Sequence, residues 1–176
     1  LLSGSFLHRQ RQWVTRVVAA TALAVAITLA VLDLQGPAQA AMADTFTVDT
    51  ATGVARVVAA LGTLVVLALA SDEITGSPRE SETYALLLFA TAGTLVLAGA
   101  DDLLVVTVGF LLASVPLYGL IGIARNESAT EAAMKTYLIG ALFGIVLLLG
   151  VTILFGLSAT TAYDQLAEPL TDAPAG

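Results

Sequence analysis

Glu131 and Lys135 stand four residues apart at the start of a long apolar run, and Lys135 is the only charge deep within the stretch from Ala132 to Tyr163. A lysine at the centre of a bilayer helix is unfavourable by roughly 2.5–3.5 kcal/mol on insertion scales, so ionisable residues held there often mark ion or proton paths. Near a helix end the same side chain extends to the headgroups at little cost. Ser128 and Glu131 read as a Ser-x-x-Glu capping box, which starts the helix near Ala129 and leaves Lys135 less than about 10 Å from the surface at 1.5 Å per residue. The four-residue spacing from Glu131 puts both charges on one helix face, a pair worth about 0.3–0.5 kcal/mol when exposed. Other chemistry has little to work with. The chain has no cysteine, which excludes disulfides, thiolate metal sites and thiol catalysis, and its single histidine, His8, makes no imidazole cluster. Neither a metal site nor a redox centre is expected, and no cofactor in this chain.

The elements that must position this pair follow from composition. Of 176 residues, 57% are hydrophobic and 12% charged, with a mean hydropathy of +0.90; soluble domains carry about twice that charged fraction. The chain is a membrane protein. Its net charge of −7 comes from acids in connecting loops, which argues against nucleic-acid binding. Five apolar stretches, at about 17–34, 52–71, 83–100, 103–124 and 130–157, each approach the roughly 20 residues needed to cross a 30 Å hydrocarbon core. Hydrocarbon cannot satisfy backbone polar groups, and runs such as LLLFATAGTLVLAGA lack the strict alternation of a barrel strand, so helices are expected. The predicted fold is an all-α integral membrane bundle of about five transmembrane helices in one domain, part of a larger helical bundle.

The first segment has a competing reading. Arg9, Arg11 and Arg16, then Val17–Leu32, then PAQAAMA look like a signal peptide, but the apolar run slightly exceeds the usual limit of about 15 residues, which favours a retained helix. The chain does not begin with methionine, and a fragment of a longer protein is expected. If the N-terminal segment faces the cytoplasm, Arg9, Arg11, Arg16, Arg79 and Arg125 fall inside while outer loops keep Asp44, Asp49, Asp101 and Asp102, a positive-inside pattern. Arg56 is expected one turn into its helix, snorkelling in a structural role. TFTV reads as a short outer strand, and Asp101 and Asp102 as solvated acids in a tight outer turn. Trp13, Tyr84, Tyr118 and Tyr163, near span ends, read as interface anchors. Pro116 cannot donate to the carbonyl of Leu112, so a kink is predicted there. Ala90, Ala92, Gly93, Ala98 and Gly99, with Gly140 and Gly144 on the fifth helix, suit close helix packing.

An ordered set of features runs from Glu82 to Tyr137. Glu82 and Tyr84 open one helix; Ala100–Asp102 form a small polar turn; Gly109, Ser114 and Pro116–Leu117 mark the next helix; Arg125 sits in a short loop; and Glu131, Lys135 and Tyr137 begin the last. This order resembles subunit N of the proton-pumping NADH:quinone oxidoreductase, respiratory complex I, an antiporter-like family. TVDTATGVARVVAAL is similar to the family's outer loop and third helix. The resemblance implies a non-redox membrane-arm subunit of the inner (plasma) membrane, packed against sister subunits and lipid, with quinone bound elsewhere in the complex and no active site of its own. It also implies a lysine facing the bundle interior at Lys135, and a functional glutamate two residues after Gly109. Here that position is Leu111, and a leucine can neither hold nor exchange a proton. Two alternatives follow: a subunit of a related multisubunit cation/proton antiporter or membrane-bound hydrogenase, or a degenerate structural subunit that lacks the coupling glutamate.

Overall fold

A computed structural model describes residues 13–34, 39–41, 45–77 and 79–166. His8, Arg9, Arg11, Asp44 and the C-terminal acids beyond 166 lie outside these. Five long helices, α1 (Trp13–Asp33), α2 (Thr50–Ile74), α3 (Glu80–Ala98), α4 (Leu103–Ile121) and α5 (Glu127–Ser158), are each long and apolar enough to cross a membrane. Between α1 and α2 lies a small antiparallel hairpin of β1 (Gln39–Ala41) and β2 (Phe46–Val48), in register Ala40 to Thr47. The strand read from TFTV is β2.

The helices pack in chain order, each on the next, with α1 also reaching α3. This is the arrangement that short connections impose on antiparallel neighbours. Ala19 and Leu23 of α1, Ala60 and Leu67 of α2 and Tyr84 of α3 form the main buried cluster. The first helix is thus built into the bundle as a structural member. A smaller cluster joins Leu103 of α4, Val151 of α5 and Leu166.

Glycine sets the closest approach. A Cβ on Gly93 of α3 would strike the backbone nitrogen of Ala113 on α4, so the two helices meet where only hydrogen separates their backbones. Gly140 of α5 gives the same room to the Tyr118 hydroxyl of α4, and Tyr118 stacks edge-on against Tyr137 with centroids 5.9 Å apart. The small residues flagged at 93, 140 and 144 therefore serve α3–α4 and α4–α5 packing. Pro116 is buried within α4, which continues to Ile121.

The polar residues gather at the two ends. At one, the Arg16 guanidinium donates to the Thr75 hydroxyl at 3.3 Å, and that of Arg79 donates to the Ile123 carbonyl in the α4–α5 loop, beside Arg125. At the other, Arg56 pairs with Asp33 at 3.7 Å and lies 4.7 Å over the Phe46 ring. The arginines expected inside, where described, share one end. Arg56 is held by an anion and an aromatic face.

Two expectations need correction, one at the hairpin end and one in the core. Asp102 is only 6% exposed. Its carboxylate accepts from the backbone N–H groups of Leu104 and Val105, capping α4, and from the Thr161 hydroxyl. An aspartate directly before an apolar helix is a strong N-cap, and capping outcompetes solvation. Asp101 likewise accepts from the Thr47 hydroxyl at 2.6 Å, joining the hairpin to the α3–α4 turn. Tyr84 is 2% exposed and belongs to the core, where it packs with α1 and α2 instead of anchoring at an interface.

Candidate functional site

The start of α5 fixes the geometry of the Glu131–Lys135 pair, and it differs from the capping-box expectation. Asn126 is the N-cap, its side chain accepting from Ala129 N at 2.7 Å, and the helix begins at Glu127. Ser128 is already helical. Asparagine is at least as good a cap as serine, and here it precedes the serine by two residues. Lys135 consequently stands eight residues into α5, about 12 Å at 1.5 Å per residue.

Lys135 Nζ donates to Glu131 Oε1 at 2.5 Å, and both side chains are about two-thirds exposed. The face they occupy is the informative part. Ala133, Tyr137, Gly140 and Gly144 turn toward α4, where they meet Gly122, Tyr118 and Phe110. Glu131 and Lys135 lie on the opposite side, followed down the helix by Leu138, Leu142, Val146, Leu149 and Ile153, all exposed. The pair heads an apolar stripe that no described residue covers. A glutamate and a lysine in hydrogen-bond contact can pass a proton between carboxylate and amine, and an apolar surround raises the cost of separating them.

Leu111 does not join this site. It is partly exposed on α4 and lies near Gly144 of α5, nine residues beyond Lys135. Pro116 is likewise on the α4 side, buried. The structure therefore brings Glu131 and Lys135 together and keeps Leu111 and Pro116 apart from them. Among the described residues no three His, Cys, Asp or Glu side chains are grouped to hold a metal ion.

A second polar group escaped the sequence reading. Glu80 and Tyr84, one turn apart on α3, are the largest fully buried side chains. Glu80 Oε2 accepts from Gly76 N at 2.9 Å. The available signal was the spacing: a glutamate four residues before a tyrosine, followed at 87, 88 and 91 by core-facing residues, continues a buried face.

This architecture defines a multi-pass helical membrane protein with polar networks at the helix ends and an ion pair at the head of an apolar face. Residues 100–174 match the family described as NADH:quinone oxidoreductase/Mrp antiporter, transmembrane. The chain is 58% identical over 175 residues to NADH-quinone oxidoreductase subunit N of Mycobacterium sp. (strain JLS), covering 99% of this chain and 37% of that protein. It is 41% identical, over the same shares of each, to subunit N 1 of Streptomyces griseus. It also superposes on a chain of respiratory complex I from Thermus thermophilus with bound aureothin, with a TM-score of 0.78, 27% identity, and coverage of 96% of this chain and 39% of that one. The chain belongs to this family of antiporter-like transmembrane subunits. It spans a little over a third of the length of the relatives it matches.

Proposed function

We propose that this chain is part of a non-redox, membrane-arm subunit of a proton-pumping NADH:quinone oxidoreductase in the inner (plasma) membrane, and that it contributes to proton translocation. The observation that carries the reading is the Glu131–Lys135 pair at the head of the uncovered α5 face. Similarity to subunit N proteins supports the assignment to that complex. In this reading the α5 stripe is covered by further helices of the same subunit or of a neighbouring one, and covering it removes the pair from solvent. Lys135 and Glu131 then act as proton-holding groups, exchanging a proton by hydrogen-bond transfer while redox chemistry proceeds on other subunits. The chain itself binds neither NADH, flavin nor quinone.

Leu111 supports a narrower role. Without a carboxylate at that position, the proton-holding role falls to Glu131 and Lys135. The reading is tested by tagging the full-length protein in its native membrane and purifying it under mild detergent. Co-purification with NADH:quinone oxidoreductase activity is expected. Recovery with an antiporter or hydrogenase assembly free of that activity would replace the reading with the related-transporter alternative.

A further inference from the structure

Among the described residues, three polar atoms at the arginine-bearing end of the bundle are buried without a hydrogen-bond partner: Glu80 Oε1, Ser81 Oγ and Tyr84 Oη. All three come from the first five residues of α3. Glu80 and Tyr84 are each 2% exposed. The Tyr84 hydroxyl is close to Thr75 but makes no bond of hydrogen-bond geometry with it. Buried polar atoms in folded proteins are almost always paired, with protein groups or with ordered water. Three such atoms within one and a half helical turns share a common cause.

Their chemistry is complementary through a bridging molecule. Glu80 already uses Oε2 on the Gly76 N–H and offers Oε1 as an acceptor. Ser81 and Tyr84 each offer a hydroxyl that both donates and accepts. Ser81 and Tyr84 also line a groove of about 360 Å³ between α1 and α3, whose other walls include Thr15, Val18 and Phe89. A buried water commonly makes about three hydrogen bonds and needs two to four polar partners. Charged groups at this end among the described residues include Arg16 of α1, bonded to Thr75, and Arg79 and Glu82 at the start of α3, themselves paired at 4.0 Å. None of these is hydrogen-bonded to the three atoms.

We propose that Glu80, Ser81 and Tyr84 form a bound-water site, in which one water donates to Glu80 Oε1 and is held by the Ser81 and Tyr84 hydroxyls. The water connects the buried carboxyl to the groove between α1 and α3. This polar site lies at the head of α3, on a different helix from Glu131 and Lys135, and goes beyond the functional reading without depending on it.

The test is electron cryo-microscopy of the full-length protein in its native assembly, at a resolution that shows ordered water. A density peak about 2.7–3.0 Å from Glu80 Oε1 and from at least one of the two hydroxyls is expected. In the Ser81→Ala/Tyr84→Phe double variant the peak should fall below half its wild-type occupancy with the backbone of α3 unmoved. Direct bonding among the three side chains with no peak overturns the proposal. So does a peak ringed by about six oxygens at 2.3–2.6 Å, which is a metal cation, or a peak that persists unchanged in the double variant. Because density is read without any transport assay, failure here is distinct from failure of the pumping assignment.

Discussion

Asp102 shows how much a single carboxylate can hold in a chain with few charges. It caps α4 through two backbone N–H groups and fastens the segment after α5 through Thr161. An N-cap is worth about 0.5–2 kcal/mol and a hydrogen bond to a charged group about 1.5–3 kcal/mol. Asp102→Ala should therefore cost at least about 2 kcal/mol and lower the thermal midpoint in detergent, while Asp102→Asn, which keeps an accepting oxygen, should recover part of the loss. Asp49 caps α2 in the same way, and the Thr52 backbone N–H and then its hydroxyl hold the Asp49 carboxyl below its ordinary value. A depressed folded value means that the contribution is present above about pH 4, where the unfolded carboxylate is ionised, and is lost as pH falls through the folded value. Wild type should melt higher than Asp49→Asn at pH 6, and the two curves should converge as pH is lowered below 4. Parallel curves down to pH 3 would remove Asp49 from the acid response. The burial of Asp102 and Tyr84 was hard to read from sequence. An acid in a turn and a tyrosine near a span end each have a solvent-facing explanation, and only the tertiary placement of Thr161 and α1 decides between them.

At the scale of the helices, the long apolar runs were legible because bilayer thickness sets their length and because hydrocarbon demands closed backbone hydrogen bonding. Their ends were less so. Asn126 and Ser128 are both competent caps two residues apart, and the structure uses the earlier one. The packing role of small residues was also legible, since Gly93 lies where α3 and α4 touch backbone to backbone. Gly93→Ala should cost about 1–3 kcal/mol by forcing those helices apart. Gly150→Ala, on the same protein, meets nothing within 4 Å and should be neutral or stabilising by up to about 1 kcal/mol through helix propensity. Thermal unfolding of the two variants side by side checks both signs. If Gly93→Ala melts with wild type, the close approach of α3 and α4 is wrong. The α5 helix, 32 residues long, spans about 48 Å at 1.5 Å per residue, some 18 Å beyond a hydrocarbon core. Centred on the bilayer, it brings Lys135 to the edge of the apolar region, where coverage of its face decides how far the charge is desolvated.

Across the whole molecule, polar contacts close both ends of the bundle and leave apolar side chains exposed along all five helices, most continuously on α5. The hairpin, Asp33, Arg56, Asp101 and Asp102 tie the hairpin-side ends of α1 to α4. Arg16 and Arg79 tie the connections at the opposite end. The stripe of α5 from Leu138 to Ile153 is exposed along its length. Lys135 and Glu131 were legible as a pair from their spacing; the face they occupy was not, because it depends on which side of α5 packs on α4. In the proposed function this pair carries protons. The decisive measurement is the proton-to-electron ratio of the full-length protein's assembled complex in sealed vesicles, wild type against Lys135→Ala, with Lys135→Arg as a variant that keeps the charge. Normal assembly with a ratio lowered at least twofold is expected in Lys135→Ala. An unchanged ratio at full assembly would contradict it and leave Lys135 as a lysine that only extends to the membrane surface.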